Sequence, residues 1–260
     1  MNKILLKSFV LLSLGIATFA DAQFRTRNRM DRLESFDEQK FSWGFYLNGA
    51  MYDYHLVLNP RYGMLGNYNL VSTKTSAGFG AGLIGKMRLN DYFDLRLEPG
   101  LQFVQREIRF ETQSNDLYSA GSDSNPPFTP MVLTEKDKVR NLKHTLLDIP
   151  VLIEVHGNRW YNSRPYVAGG INYIMNLQSN AKSSDDNLQG VFRSTTNNFA
   201  WTAEMGVQLY FRRFKLTPAI RGTFFTNNEM VADDNTTPPY WAKSISTAQS
   251  RGFMFILKFE

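Results

Sequence analysis

Cysteine is absent from the 260 residues, and this excludes disulfide frameworks, thiolate metal sites, cysteine nucleophiles and lipoprotein anchors built on an acylated cysteine. Histidine is scarce, with only His55, His144 and His156, so imidazole chemistry has few places to sit. Beyond residue 22 no apolar run approaches the roughly 18 residues of a helical membrane span. Dense basic blocks are also missing. The 29 Lys and Arg stand against 24 Asp and Glu, a net charge of +5 spread along the chain. Nucleic-acid backbones demand clustered positive charge, so no nucleic-acid partner is expected. Aromatic side chains are plentiful, with 20 Phe, 12 Tyr and 4 Trp. A hydrophobic share of 43% is that of a folded chain and not of a disordered one.

Met1 to Ala22 reads as a secretory signal. Lys3 and Lys7 form its positive start, Phe9 to Ala20 its apolar stretch, and Ala20-Asp21-Ala22 a small-x-small cleavage site. The mature chain is expected to begin at Gln23. An exported protein without helical spans enters a membrane only as a barrel. The next stretch, residues 23–40, changes charge sign along its length. Arg25, Arg27, Arg29 and Arg32 are followed by Glu34, Asp37 and Glu38. It reads either as a solvated tether or as a docking strip for a periplasmic partner.

From residue 41 the period is two, the mark of β-strands. Phe41, Trp43, Phe45, Leu47 and Met51 alternate with small or polar residues, and Ala77, Phe79, Ala81, Leu83 and Met87 do the same. Phe93, Leu95, Leu97, Leu101 and Phe103 alternate with Asp94, Arg96, Glu98 and Gln102, charges that an oily core does not hold unpaired. Five more segments follow: Thr145 to Val155, Pro165 to Met175, Phe199 to Phe211, Phe214 to Phe224 and Arg251 to Phe259.

The connections decide between a soluble sandwich and a membrane barrel. Asn90-Asp91, Gly157 to Asn162 and Arg212-Arg213 are short, whereas Asp53 to Lys74, Glu111 to His144, Leu177 to Asn198 and Thr226 to Ser250 are long. Strict alternation of short and long links is the pattern of an outer-membrane barrel with short periplasmic turns and long external loops. The expected fold is therefore all-β, an eight-stranded antiparallel transmembrane β-barrel over residues 41–260 in the outer membrane of a Gram-negative cell. Trp43, Tyr46, Tyr52, Tyr54, Tyr92, Phe93, Trp160, Tyr161, Tyr210 and Phe211 fall near segment ends, where an interfacial aromatic belt is expected.

Eight strands leave an interior that side chains fill, so a diffusion pore is not expected. Inward parity gives a candidate charge network of Lys86, Arg88, Arg96, Glu98, Arg106, Asp148, Glu154, Glu204 and Arg221, both signs represented. The alternative for these residues is a narrow ion or proton path. For catalysis, His55 and His144 are placed near the external rim and His156 near a periplasmic turn, none beside a Ser or Asp at a useful spacing. No enzymatic activity, cofactor or metal is expected. Asp185-Asp186 and Asp233-Asp234 lack a spaced ligand series for calcium. Asp116 to Pro130 and Val231 to Trp241 are loops that could meet a partner or glycan.

Several longer stretches resemble one family. They are Leu33-Glu-Ser-Phe-Asp-Glu-Gln-Lys-Phe-Ser-Trp-Gly-Phe-Tyr-Leu47, Met87-Arg-Leu-Asn-Asp-Tyr-Phe-Asp-Leu-Arg-Leu-Glu-Pro-Gly-Leu101, and Asp148-Ile-Pro150 with Arg164-Pro-Tyr-Val-Ala-Gly-Gly170. Ser184-Asp-Asp-Asn187, Gly190-Val-Phe-Arg193 and Ile220-Arg-Gly222 add to them. Together they resemble the PorT/SprT family of the type IX secretion and gliding machinery of Bacteroidetes-type bacteria. The resemblance implies an integral outer-membrane component required for cargo export, with other type IX components as partners and no catalytic residues to carry over.

Overall fold

The structure is a computed structural model that describes residues 32–111, 127, 129, 134–183, 192–232 and 241–260. The signal stretch, Arg25, Arg27, Arg29, Asp185, Asp186, Asp233, Asp234 and nearly all of the Asp116 to Pro130 loop lie outside the described residues, as does Ser184-Asp-Asp-Asn187. The main compact unit is Leu33–Glu260, so residues 33–40 belong to the same unit as the sheet.

Among the described residues a 3-10 turn at Glu34–Phe36 precedes twelve strands. In chain order these are β1 (Phe41–Leu58), β2 (Met64–Leu65), β3 (Tyr68–Asn69), β4 (Val71–Lys74), β5 (Ser76–Arg88) and β6 (Phe93–Leu97). They continue with β7 (Gly100–Phe110), β8 (Val139–His156), β9 (Ser163–Asn176), β10 (Asn197–Tyr210), β11 (Lys215–Phe225) and β12 (Ile245–Phe259). β4 with β5 and β6 with β7 each make one interrupted long strand, so the sheet is built from eight. The break between β6 and β7 is at Glu98-Pro99, since proline has no N–H to give the ladder. Among the described residues no helix is long and apolar enough to cross a membrane.

All pairings are antiparallel. They run from β1 through β12, β11, β10, β9 and β8 to β6 and β7, then to β5, and β5 pairs with β1. The first strand is thus hydrogen-bonded to the last, and the usual liability of open sheet edges is removed.

Burial follows the period of two with the apolar side outward. Trp43 is 83% exposed and Ile171 71%, while alternate neighbours such as Ser42, Asn48, Arg96, Glu154 and Arg221 are buried. A soluble fold would have this the other way round. Turns at one end are short, at Leu89–Tyr92, Gly157–Asn162 and Phe211–Phe214, and Lys40 meets Arg88 there through a backbone bond of 2.9 Å. We call this the turn end and its opposite the loop end.

Two expectations change in detail. β1 and β8 are longer than their apolar alternation, because β1 continues to Leu58 and β8 begins at Val139. Of the expected aromatic belt, Trp43, Tyr92, Phe93, Trp160 and Tyr161 are exposed, but Tyr46, Tyr52, Tyr54 and Tyr210 are buried. Those four occupy inward positions of β1 and β10, and alternation outweighs their closeness to the strand ends. Tyr46 fits because Gly82 and Gly100 lack a Cβ. A Cβ at either glycine would overlap its ring or hydroxyl.

Candidate functional site

The inner face holds a layer of charges at the turn-end half. Arg96 of β6 bonds Glu98 at 2.7 Å and also holds Glu154 of β8. Arg221 of β11 binds Glu98 and, through Nε at 2.7 Å, Glu204 of β10. Lys258 of β12 donates to Glu98 at 2.8 Å and to Glu204. Tyr166 donates to Glu204 at 2.6 Å, and the Gln208 amide donates to Glu154. Three cations therefore face three carboxylates, and all six side chains are at most 4% exposed. A buried pair offsets its desolvation only when geometry and extra hydrogen bonds are good, and here each carboxylate touches more than one donor.

Smaller pairs lie toward both ends. Lys86 sits 3.3 Å from Asp94, and His156 Nε2 is 3.4 Å from the same oxygen. Asp94, Glu154 and His156 together form a group with metal-ligating chemistry. Its carboxylates are already held by Lys86 and Arg96, so the group has its positive charge from the protein. Lys215 pairs with Glu260. Near the loop end Arg106 faces Glu229 at 3.3 Å and stacks on Tyr54 at 4.3 Å. Burial pushes the Glu229 carboxyl up from its ordinary value, with Arg106 and the Ser250 hydrogen bonds acting against it.

Lys86, Arg96, Glu98, Arg106, Asp148, Glu154, Glu204 and Arg221 are all buried on the inner face. Arg88 departs from that list. As the last residue of β5 it reaches the turn, pairs with Asp91 at 2.6 Å and leaves its side chain 31% exposed. Lys258, Lys215 and Asp94 were missing from the list although their parity already pointed inward. The histidines separate: His55 is exposed on the outer face, while His144 and His156 are buried.

The segment 33–40 contributes as well. Asp37 accepts from Arg164 at 3.1 Å and from the Tyr210 hydroxyl at 2.9 Å, and Arg159 is 3.8 Å away. The Phe36 ring lies 4.9 Å from the Lys215 ammonium. Asp37 is thus engaged at the turn-end mouth rather than presented as part of a strip, whereas Arg32 and Glu38 are exposed. The Glu34 side chain lies outside the described part. At the loop end Tyr54, Tyr62, Val71, Ile108, Phe110, Leu142, Phe192, Trp241, Ile245 and Ala248 make an apolar cluster. Arg140 stacks 3.9 Å from the Trp241 ring.

An antiparallel sheet with an apolar exterior, a charged interior and short turns at one end defines an integral outer-membrane β-barrel. The match to the family model described as "Outer membrane protein beta-barrel domain" spans residues 20–228, and the chain belongs to that family. Its place is the Gram-negative outer membrane.

Among solved structures, OprG from Pseudomonas aeruginosa is similar at 11% identity and a TM-score of 0.39, over 84% of this chain and 93% of that one. Neisserial surface protein A is similar at 11% identity and a TM-score of 0.38, over 85% and 98%. Ail of Yersinia pestis, in complex with the heparin analogue sucrose octasulfate, is similar at 7% and a TM-score of 0.33, over 85% and 99%. No curated protein matches the chain.

Proposed function

We propose that this barrel is a non-catalytic outer-membrane component of type IX protein export that works through protein contacts at its two rims. The carrying observation is the interior. Arg96, Arg221 and Lys258 cross it to Glu98, Glu154 and Glu204, and an apolar cluster stands over the loop end. A polypeptide has no room beside such a layer, so cargo passes elsewhere and this chain contributes surfaces. The Asp-Glu-Gln-Lys entry segment and Ser184-Asp-Asp-Asn187 with Gly190-Val-Phe-Arg193 support the PorT/SprT reading by resemblance, whereas the Leu-Glu-Pro-Gly-Leu stretch ending at Leu101 is shared with a wider group of outer-membrane barrels and supports the fold.

The test is deletion of the gene followed by measurement of surface and secreted cargo. Loss of export restored by the intact chain supports the proposal, and undiminished export overturns it. The same interior disfavours the narrow channel, for which steady conductance steps in a planar bilayer are the measurement. Lipid chemistry at the rim would need His55 and His144 together, and these face opposite sides of the sheet.

A further inference from the structure

One buried carboxylate has no cation. Asp94, Glu98, Glu154, Glu204, Glu229 and Glu260 each have a Lys or Arg nitrogen at ion-pair distance. Asp148, only 2% exposed, has none among the described residues; the Asn172 side chain acts on it as a hydrogen-bonding neighbour, but neither of its oxygens has a partner at full hydrogen-bond geometry. The charges that act on it are Arg221 and Glu98, of opposite sign. Arg221 is already held by Glu98 and Glu204. The neighbouring layer is balanced three against three, so no cation there is left over for Asp148.

The side chains around Asp148 are unpartnered in the same way. Asn48, Gln102 and Asn172 are 7%, 0% and 1% exposed, and the amide N and O of each are buried with no partner at full hydrogen-bond geometry, although Gln102 neighbours the Tyr46 hydroxyl and Asn172 neighbours Asp148. Sheet register brings them together. Asn48 pairs with Gly80 and Gly80 with Gln102, which places these on one rung. Asp148 pairs with Gly100, one inward position from Gln102, and Asn172 is its diagonal neighbour on β9 through Pro150. Diagonal neighbours in an antiparallel pair are about 7 Å apart, within reach of long side chains. Glycines tighten the arrangement. A Cβ on Gly80 would overlap the Gln102 amide, and one on Gly100 would overlap the Tyr46 hydroxyl. The amide therefore lies over the rung of Asn48, and the phenol lies beside Asp148.

Buried polar atoms are costly unless satisfied, and a lone buried carboxylate most of all. We propose that Asp148, with the side-chain oxygens of Asn48, Gln102, Asn172 and Tyr46, forms an internal site for a single monovalent cation of the sodium class. Hard oxygen donors suit alkali ions. One negative charge selects a monovalent ion, because a divalent ion would leave an uncompensated positive charge in a low-dielectric interior. The ion completes the balance that the protein's own cations leave open. Water alone would satisfy the amides but not the charge.

The experiment uses the purified full chain refolded in detergent micelles in mildly alkaline buffer. Urea unfolding is followed by heat-modifiable gel mobility at constant ionic strength, with sodium or potassium chloride replaced stepwise by N-methylglucamine chloride. A ligand that binds only the folded state lowers the unfolding equilibrium constant about tenfold for each tenfold rise in its concentration above the dissociation constant. That dependence is expected for sodium and is expected to vanish in Asp148→Asn. Identical curves in sodium and N-methylglucamine overturn the site, as does an Asp148→Asn chain that keeps the sodium response. Should Asp148→Asn fail to refold, Asn172→Leu is the second variant, expected to weaken the sodium response and overturning the site if it does not. Infrared spectra of the intact chain add an independent arm. A protonated-carboxyl stretch that persists in saturating sodium and is absent from Asp148→Asn assigns a proton to Asp148 and overturns the cation.

Discussion

Neutralising Glu98 separates a balanced interior from a merely charged one. Glu98 is 0% exposed and touches Arg96 at 2.7 Å, Lys258 at 2.8 Å and Arg221. Glu98→Gln leaves three buried cations facing two carboxylates, Glu154 and Glu204. Breaking a buried pair by removing one partner costs about 3–5 kcal/mol, a drop of about 100-fold to several thousand-fold in the folded-to-unfolded ratio. Adding Lys258→Met restores two against two, and replacing both members of a buried pair is often close to neutral. The double variant should therefore recover more than half of the loss. The assay is urea unfolding in lipid vesicles, read by tryptophan fluorescence and heat-modifiable mobility, with both singles and the double forming a cycle. The reasoning is refuted if Glu98→Gln costs less than about 1 kcal/mol, well below the range for a broken buried pair. It is equally refuted if the double variant is as unstable as the two singles added together.

Three further outcomes follow from the same structure. Ile220 is mid-β11 and 57% exposed to lipid, so Ile220→Lys should cost about 2–4 kcal/mol in vesicle unfolding; a neutral result would place this face in water. Gly170 lies against the Val151 carbonyl oxygen, where a Cβ has no room, so Gly170→Ala should lower stability by about 1–3 kcal/mol, and an unchanged urea midpoint would contradict the close β8–β9 approach. Asp37→Asn should leave the urea midpoint nearly unchanged while speeding protease cleavage within residues 33–40, and equal cleavage rates would show that Arg164 and Tyr210 do not hold that segment.

Much of the fold was legible because the signals were local. Alternation such as Phe93, Leu95 and Leu97 against Asp94 and Arg96 is a property of a few adjacent residues, and loop length is a matter of counting. Inward parity even marked Tyr46 and Lys258, although the tyrosine's place near a strand end suggested a belt position and the lysine was passed over. What parity does not carry is register around the sheet. Glu98 meets Lys258 across a sequence separation of 160 residues, and that meeting depends on how eight strands are staggered. Asp37 was hidden for another reason: it sits in an irregular segment, where no period tells which side chains turn inward. Alternation places the uncharged amides Asn48, Gln102 and Asn172 on the polar face, but that they fail to bond there depends on register and is not legible in the sequence.

The position of Lys258 has a consequence for how β12 docks. It is carried by β12, the strand that pairs with both β1 and β11, and it is donor to Glu98 and Glu204 from two other parts of the sheet. Without β12 those two carboxylates have Arg96 and Arg221 alone, and the layer of Glu98, Glu154 and Glu204 carries a surplus negative charge that favours contact with water. The strand that pairs with β1 and β11 thus also brings the ammonium group that balances the layer, so its docking is favoured electrostatically and not by backbone pairing alone.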